Sequence, residues 1–245
     1  MTERSQQILS LDKDMSSPET SARIEGLFRF AQVGRCVNGV THDINNYLGA
    51  ILAYAELVSM ESGLSAEAQR MLKEIIGGVE KCSELISRLT DIARDEKPSS
   101  SMIDPAVLAG RALLLRNYAL RTAQIKVETS VQEGLAPIIV DVPKLELAFI
   151  YLLANAQEAL KEQPHKLIRF RIAGNEQETS FAIWNSGPSI PPESVEALFE
   201  PYRTGKDGGH LGLGLPTARR YAALHGGTLV YEAERGFVLT IPREA

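Results

Sequence analysis

Apolar residues in the first third of the chain recur at alternating steps of three and four, the spacing of an amphipathic helix. The first run extends from about residue 24 to 61 and ends at Glu61-Ser62-Gly63-Leu64, after which Ser65 is a good N-cap for a second run. The apolar positions are Val33, Val37, Val40, Ile44, Leu48, Ile51, Ala55 and Val58, then Leu72, Ile75, Val79, Cys82, Ile86, Leu89 and Ala93. This pattern predicts a long antiparallel helical hairpin over residues 24–97, preceded by a flexible segment at 1–23.

A single hairpin cannot bury the whole apolar stripe that these positions form. Two hairpins packed as a four-helix bundle would bury it, so we expect a homodimer through residues 24–97.

The pattern changes to mixed α/β after Lys97-Pro98-Ser99-Ser100-Ser101, which predicts a linker at 98–102. Helices are predicted at 105–121, 142–161 and 216–225, and strands at 125–129, 167–173, 180–185, 228–232 and 236–241. Residues 103–245 are therefore expected to form an α/β sandwich, with one sheet covered by helices on one face.

Composition excludes several classes of function. The net charge is -5 and the pI about 5.5, so no basic field for nucleic acid exists. No apolar run approaches the roughly 18 residues of a membrane span, and the polar N-terminus has no signal-peptide core. We expect a cytoplasmic protein whose two cysteines are buried thiols.

His42 is the first residue with candidate chemistry. It lies two positions after Val40, so it projects away from the apolar stripe. A neutral imidazole is a good nucleophile, and Asp43 beside it could accept the Nδ1 proton as a general base. Asn46 follows one helical turn later on the same face and could position a water. Taken alone, this segment also fits a solvated helix face that happens to carry a histidine.

Two asparagines in the second part could bind a nucleotide. Asn155 lies on the polar face of a helix, with Glu158 one turn later, and could offer an oxygen to Mg²⁺. Asn185 ends an apolar strand, where a polar side chain can bond the adenine edge while Gly187 lets the backbone approach the base. Each also fits an ordinary surface residue or turn.

A glycine-rich segment, Gly208–Pro216, supplies a candidate phosphate site. Gly212, Leu213, Gly214 and Leu215 allow close backbone approach, and Pro216 suits the first turn of a helix whose N-terminus favours anions. Lys206 and Arg203 lie nearby and could meet phosphate.

The order of these segments resembles the catalytic core of a two-component sensor histidine kinase over residues 25–245. The matching blocks are Thr41–Asn46 (H box), Asn155–Ala159 (N box), Asn185–Pro188 (first glycine box), Leu198–Tyr202 (F box) and Gly212–Leu215 (second glycine box). Five blocks in the family's order are far more specific than any one of them.

The resemblance implies a dimerisation and phosphotransfer hairpin followed by a Bergerat-type ATP-binding domain. In that scheme His42 receives the γ-phosphoryl group of ATP, Asp43 assists as base, and Asn155 is the Mg²⁺ ligand. Asn46 matches the position that orients water for dephosphorylation of a response regulator. Residues 191–212 match the lid over the triphosphate. Residues 1–22 are too few for a sensor domain, so sensory input is expected from another protein, unless the chain is the core of a longer protein.

Three positions depart from the family's pattern. Tyr151 stands where the N box often carries a first Asn, Asn185 where the family usually places an adenine-reading Asp, and Ser189 where it places a second Gly. Loss of the charge at Asn185 would weaken a charge-assisted bond by about 1 kcal/mol. Ser189 would cost about 1 kcal/mol more than Gly if its φ were positive.

These features predict an ATP-dependent histidine kinase that autophosphorylates His42 and passes the phosphoryl group to an aspartate of a response regulator. The three departures keep open a phosphotransfer adaptor with a degenerate ATP domain, and Asn46 keeps open a protein that is mainly a phosphatase. An unrelated ATPase would leave the helical hairpin around His42 unexplained.

Overall fold

The computed structural model describes residues 18–93, 100–201 and 212–243, and the side chains of the first helix from residue 39 onward. The chain divides into two compact units, residues 1–94 and 95–245. Lys206 and residues 1–17 lie outside the described ranges. No helix within those ranges is both long and apolar enough to cross a membrane.

The first unit is the predicted helical hairpin. Helix α1 spans Pro18–Ser59 and helix α2 spans Ala66–Ala93, and the two pack against each other. Residues 18–23, predicted as flexible, are therefore helical, and Pro18 is a favoured first residue. The Ala68 N–H donates to Oγ of Ser65 at 3.1 Å, which confirms Ser65 as the N-cap of α2.

The apolar stripe of the hairpin divides into two sets. Leu48 and Ala55 of α1, with Leu72, Val79 and Ile86 of α2, are buried or half-buried within the hairpin. The alternate positions remain exposed, and we call them the open row: Val40, Ile44, Ile51, Val58, Ile75, Cys82 and Leu89. The prediction of a buried Cys82 is therefore wrong for the single chain, because this thiol lies in the row that α1 does not cover.

The second unit contains helices and strands in mixed order, as predicted. Its elements are β1 (Ser100–Ile103), α3 (Pro105–Thr122), β2 (Lys126–Val131), β3 (Ile138–Asp141), α4 (Val142–Ala159), β4 (Leu167–Gly174), β5 (Glu178–Asn185), α5 (Pro192–Val195), a 3₁₀ turn (Glu196–Phe199), α6 (Gly214–Leu224), β6 (Thr228–Glu232) and β7 (Gly236–Pro242).

Five strands form the main sheet in the order β2-β4-β5-β7-β6, in which only the β2–β4 pair is parallel. A second, two-stranded sheet pairs β1 with β3, with Met102 opposite Ile139. The prediction of a single sheet is therefore incomplete. Residues 100–102, predicted as linker, lie in β1, because they pair with the short strand β3.

The core of this unit lies between the main sheet and helices α3, α4 and α6. Phe149 of α4 packs on Phe170 and Phe181 of the sheet, with ring centroids 5.5 and 4.8 Å apart. All three rings are fully buried, which contributes about 2–3 kcal/mol each. This packing fixes α4, and with it the residues that α4 presents at the candidate site.

Candidate functional site

The His42 side chain lies on the outside of α1 and is 75% exposed. Thr41, one residue earlier and about 100° around the helix, is buried. Nδ1 of His42 lies 3.4 Å from Oδ1 of Asp43 and 3.3 Å from Nδ2 of Asn46. The three predicted catalytic side chains therefore lie together on one exposed face.

The contacts with Asp43 and Asn46 require opposite protonation states of Nδ1 of His42. Donation from Nδ1–H to the Asp43 carboxylate leaves a lone pair on Nε2, the form that can attack phosphorus. Donation from the Asn46 amide to Nδ1 instead requires the proton to be on Nε2. One tautomer can satisfy only one of these contacts, so the contact with Asp43 is the one that prepares Nε2 as a nucleophile.

Asn155 lies half-buried on α4, one turn before Glu158. Within the described ranges the structure gives its carboxamide no hydrogen-bond partner, so its oxygen is available for a ligand. The start of α4 is fixed by Asp141, which accepts from the Lys144 N–H at 3.2 Å. Nε2 of His225 accepts from the Asp141 N–H at 2.9 Å, which holds the same strand end.

The Tyr151 side chain, close to the N box in sequence, packs against the second glycine box at Gly214. A Cβ added at Gly214 would lie 3.4 Å from Cδ1 of Tyr151, so the ring lies against the backbone at the start of α6. Burial raises the pKa of the Tyr151 phenol, and Tyr221 raises it further. The residue that replaces the family's Asn is therefore a neutral packing side chain at this point.

Helix α6 begins at Gly214, two residues earlier than predicted, with Pro216 in its first turn. Its N-cap residue, Leu213, makes no side-chain hydrogen bond, and the first turn holds no acidic residue. Gly212, which precedes them, has φ +64°, a conformation that costs other residues about 1 kcal/mol. Among the residues that the structure describes, no side chain is seen to cap the backbone N–H groups at this end of α6, as an anion site requires.

Asn185 and Gly187 form a fixed turn at the end of β5. Oδ1 of Asn185 accepts from the Gly187 N–H at 2.9 Å. A Cβ at position 187 would lie 2.9 Å from the carbonyl oxygen of Ala159, at the end of α4, and 2.7 Å from that Oδ1. Only glycine fits this position, because the strand end and α4 approach each other too closely for a side chain.

The segment after this turn is held by contacts that the sequence pattern does not reveal. The Ile190 N–H donates to the Tyr231 hydroxyl at 3.2 Å. Phe199 is buried in an edge contact with Phe237, and the Arg219 guanidinium lies over its ring at 4.5 Å. Ser189 does not have a positive φ, so the strain considered for this residue is absent.

One further contact beside the N box was missed by the sequence analysis. Arg116 of α3 donates to Oε1 of Gln157, two residues after Asn155. Burial lowers the pKa of the Arg116 guanidinium. The sequence carries no specific signal for this contact, because a basic residue on an amphipathic helix is a common feature.

Two family models match the chain. Residues 32–98 match the His Kinase A (phospho-acceptor) domain, which contains His42, Asp43 and Asn46. Residues 140–245 match the histidine kinase-, DNA gyrase B- and HSP90-like ATPase domain, which contains Asn155, Asn185 and the glycine-rich segment. Together the two matches cover well over half of the sequence.

Curated relatives include the sensor histidine kinase ZraS of Escherichia coli (strain K12), 23% identical over 218 residues, covering 87% of this chain and 46% of that protein. The sensory histidine kinase/phosphatase NtrB of Rhizobium meliloti (strain 1021) is 26% identical over 213 residues, covering 80% and 54%. The chain therefore spans about half the length of the curated relatives it matches.

Solved structures of the histidine kinase ThkA are also similar. Its catalytic domain matches with a TM-score of 0.53 and 27% identity, covering 59% of this chain and 98% of that one. Its complex with the response regulator protein TrrA matches with a TM-score of 0.52 and 20% identity, covering 92% and 66%. With both domains matched in order, the chain belongs to the histidine kinases and carries a phospho-acceptor domain followed by an ATP-binding ATPase domain.

Proposed function

We propose that this protein uses ATP to phosphorylate His42 and passes the phosphoryl group to an aspartate of a response regulator. The observation that carries this proposal is the exposed His42–Asp43 pair, in which Nδ1 of the ring lies 3.4 Å from the carboxylate. With its proton on Nδ1, His42 presents a nucleophilic Nε2 to solvent. The ATPase domain in the same chain supplies the nucleotide-binding partner for this reaction.

In the proposed reaction Nε2 of His42 forms a bond to the γ-phosphorus while the bond from that phosphorus to the bridging oxygen of ADP breaks. The ring becomes cationic as the new bond forms. Asp43 stabilises this charge through Nδ1–H and can take the proton, which leaves a neutral phosphoimidazole. The carboxylate also fixes the ring orientation before the attack.

The proposed triphosphate site is the start of α6. The uncapped backbone N–H groups after Gly212 would donate to phosphate oxygens, and the helix dipole favours their negative charge. The absence of acidic residues from this first turn supports the assignment. Lys206, a second candidate for phosphate binding, remains a prediction.

Mg²⁺ fits this arrangement only if the nucleotide supplies most of its ligands. Among the described residues no group of three His, Cys, Asp or Glu side chains could hold a metal ion. Asn155 offers one neutral oxygen, which is the donor class that Mg²⁺ accepts alongside phosphate and water. Mg²⁺ bound there would neutralise charge on the triphosphate during transfer.

Binding of Mg-ATP to the wild-type chain separates the kinase from a phosphotransfer adaptor. We expect a dissociation constant in the micromolar to sub-millimolar range, roughly -5 to -8 kcal/mol, by isothermal calorimetry. No heat at millimolar nucleotide, together with intact transfer to His42 from a phosphorylated partner, would favour the adaptor instead. The uncapped α6 and the available Asn155 oxygen support the kinase.

A phosphatase activity is the second candidate, and the contact of Asn46 with His42 supports it. Nδ2 of Asn46 lies 3.3 Å from Nδ1 of His42, so the carboxamide is near the atoms that would carry or receive phosphate. The relative NtrB is named a kinase/phosphatase. We propose that Asn46 positions a water for attack on the phosphoaspartate of a bound response regulator.

Asn46→Ala should retain autophosphorylation and dephosphorylate the phosphorylated response regulator at least about tenfold more slowly, a loss of about 1.4 kcal/mol. Loss of one positioning group fits this size, and the Asp43 contact needed by the kinase reaction remains. Asn45→Ala, at the preceding exposed position, is the matched control. Equal loss of both activities in Asn46→Ala would assign the residue a structural role.

The partners in this proposal are a second copy of the chain and a response regulator receiver domain. The open row supports the dimer, because it leaves seven apolar or thiol side chains exposed along one hairpin. ThkA, which has the same fold, was solved in complex with the response regulator TrrA. Sensory input from another protein remains a prediction.

A further inference from the structure

Asn185 is oriented by a backbone donor, and this fixes which end of its amide is the oxygen. The Gly187 N–H can only donate, so the atom 2.9 Å from it must be the amide oxygen. The NH₂ group is therefore the end of the side chain that points away from this backbone contact. Within the described ranges the structure gives this NH₂ group no protein acceptor.

The position of Asn185 in the sheet supports a role in reading a base. Phe181 and Ile183 point to one face of β5 and are buried in the core, in alternation with Ala182 and Trp184 on the other face. Asn185 continues this alternation at the end of the strand, so it belongs to the face that packs against the helices. Its contact partner Gly187 lies against the last residue of α4, Ala159, and no side chain at 187 separates the two elements.

A hydrogen-bond donor such as the Asn185 NH₂ group pairs with a purine that carries an acceptor at C6 better than with one that carries a donor there. Adenine carries an amino group at C6, which is a donor, whereas guanine and hypoxanthine carry a carbonyl oxygen there, which is an acceptor. An aspartate in the same turn could accept from the Gly187 N–H with one oxygen and from the adenine amino group with the other. Asn185 replaces that second acceptor with a donor, so the adenine amino group would face another N–H group.

We infer that the base site of this domain accepts 6-oxopurine nucleoside triphosphates at least as well as ATP, and that Asn185 determines this preference. The inference rests on the proposed function, since it concerns the nucleotide used in that reaction.

The test compares Mg-ATP with Mg-ITP, because hypoxanthine differs from adenine at C6 and in the proton on N1, and it lacks the additional 2-amino group of guanine. Both nucleotides are titrated by calorimetry into the wild type and into Asn185→Asp. We expect the wild type to bind ITP at least as tightly as ATP, and Asn185→Asp to shift the affinity ratio towards ATP by roughly tenfold or more. Label from γ-labelled ITP on His42 should follow the same order.

Asn175→Asp is the matched control. Oδ1 of Asn175 accepts from the backbone N–H of Gln177 at 2.8 Å and of Glu178 at 3.0 Å, in the turn between β4 and β5. The same chemical change is therefore made in the same kind of turn at the other end of β5, and the nucleotide ratio should not change.

An ATP preference that is equal in the wild type and Asn185→Asp, with tight binding in both, would overturn the inference and leave the proposed function intact. If neither nucleotide binds the wild type or the variant, the proposed function fails and the inference fails with it. Thermal unfolding of each variant verifies that the domain remains folded.

Discussion

Asn155→Ala is expected to bind Mg-ATP at least about tenfold more weakly than the wild type, a loss of about 1.4 kcal/mol or more. The reason is that the variant loses the one neutral oxygen that α4 offers to the metal, while described protein groups provide no replacement cluster. Calorimetric titration measures the loss. The melting temperature should change little, because the Asn155 carboxamide has no hydrogen-bond partner among the described residues.

Two controls separate metal ligation from a general loss of the site. Asn117→Ala, on the exposed face of α3, should bind Mg-ATP like the wild type. Removal of Mg²⁺ with EDTA should weaken the wild type until it resembles Asn155→Ala. If the wild type still binds ATP more tightly than Asn155→Ala by the same factor without Mg²⁺, Asn155 contacts the nucleotide rather than the metal.

Ile44→Glu is expected to convert the dimer into monomers or to unfold the hairpin. Ile44 lies in the open row, which the proposed second copy covers, and an unpaired charge buried in a bundle core costs several kcal/mol. Light scattering gives the mass in solution. The thermal unfolding of the second unit should be unaffected by this substitution, because the hydrophobic core of that unit contains no residue of the hairpin.

Leu57→Glu is the matched control for this substitution. Leu57 is also exposed on α1, but it lies 13 positions after Ile44, about 220° around the helix and away from the open row. This variant should remain dimeric. A dimeric Ile44→Glu protein, or a wild type that is a stable monomer, would contradict the proposed bundle.

The helical hairpin could be predicted from sequence because its signal extends over many turns. Fifteen apolar positions repeat with helical spacing, and Ser65 marks the start of the second helix by a mechanism that local sequence contains. The pattern could not show which apolar positions are buried between α1 and α2 and which remain in the open row. That division depends on how the two helices pack, and it left Cys82 exposed in the single chain.

Short elements were missed because their residues carry too little periodicity. Strand β3 has four residues, and its signal was the run Ile138-Ile139-Val140 after a proline. The turn Glu196–Phe199 follows a segment rich in Gly and Pro, which favours an irregular loop. It is held by the T-shaped contact of Phe199 with Phe237 and by Arg219 over the Phe199 ring, contacts that join residues distant in sequence.

The residues of the candidate site were named from sequence and their roles stay predictions, but the contacts of several of them became visible only in three dimensions. Gly187 was expected to admit a base, whereas in the structure its lack of a side chain also permits the close approach of Ala159. Asn185 was expected to accept from adenine, yet its oxygen already accepts from Gly187. Such orientations depend on which backbone donor lies nearby, and single-residue patterns do not contain that information.

The central claim is that this chain transfers the γ-phosphoryl group of ATP to His42. The most direct measurement is incubation of the wild type and His42→Gln with Mg²⁺ and γ-labelled ATP, followed by acid and base treatment and peptide mapping at alkaline pH. We predict an acid-labile, base-stable label on the peptide that contains His42, and no label in His42→Gln. An undiminished label in His42→Gln, or a label on another peptide of the wild type, would contradict the assignment.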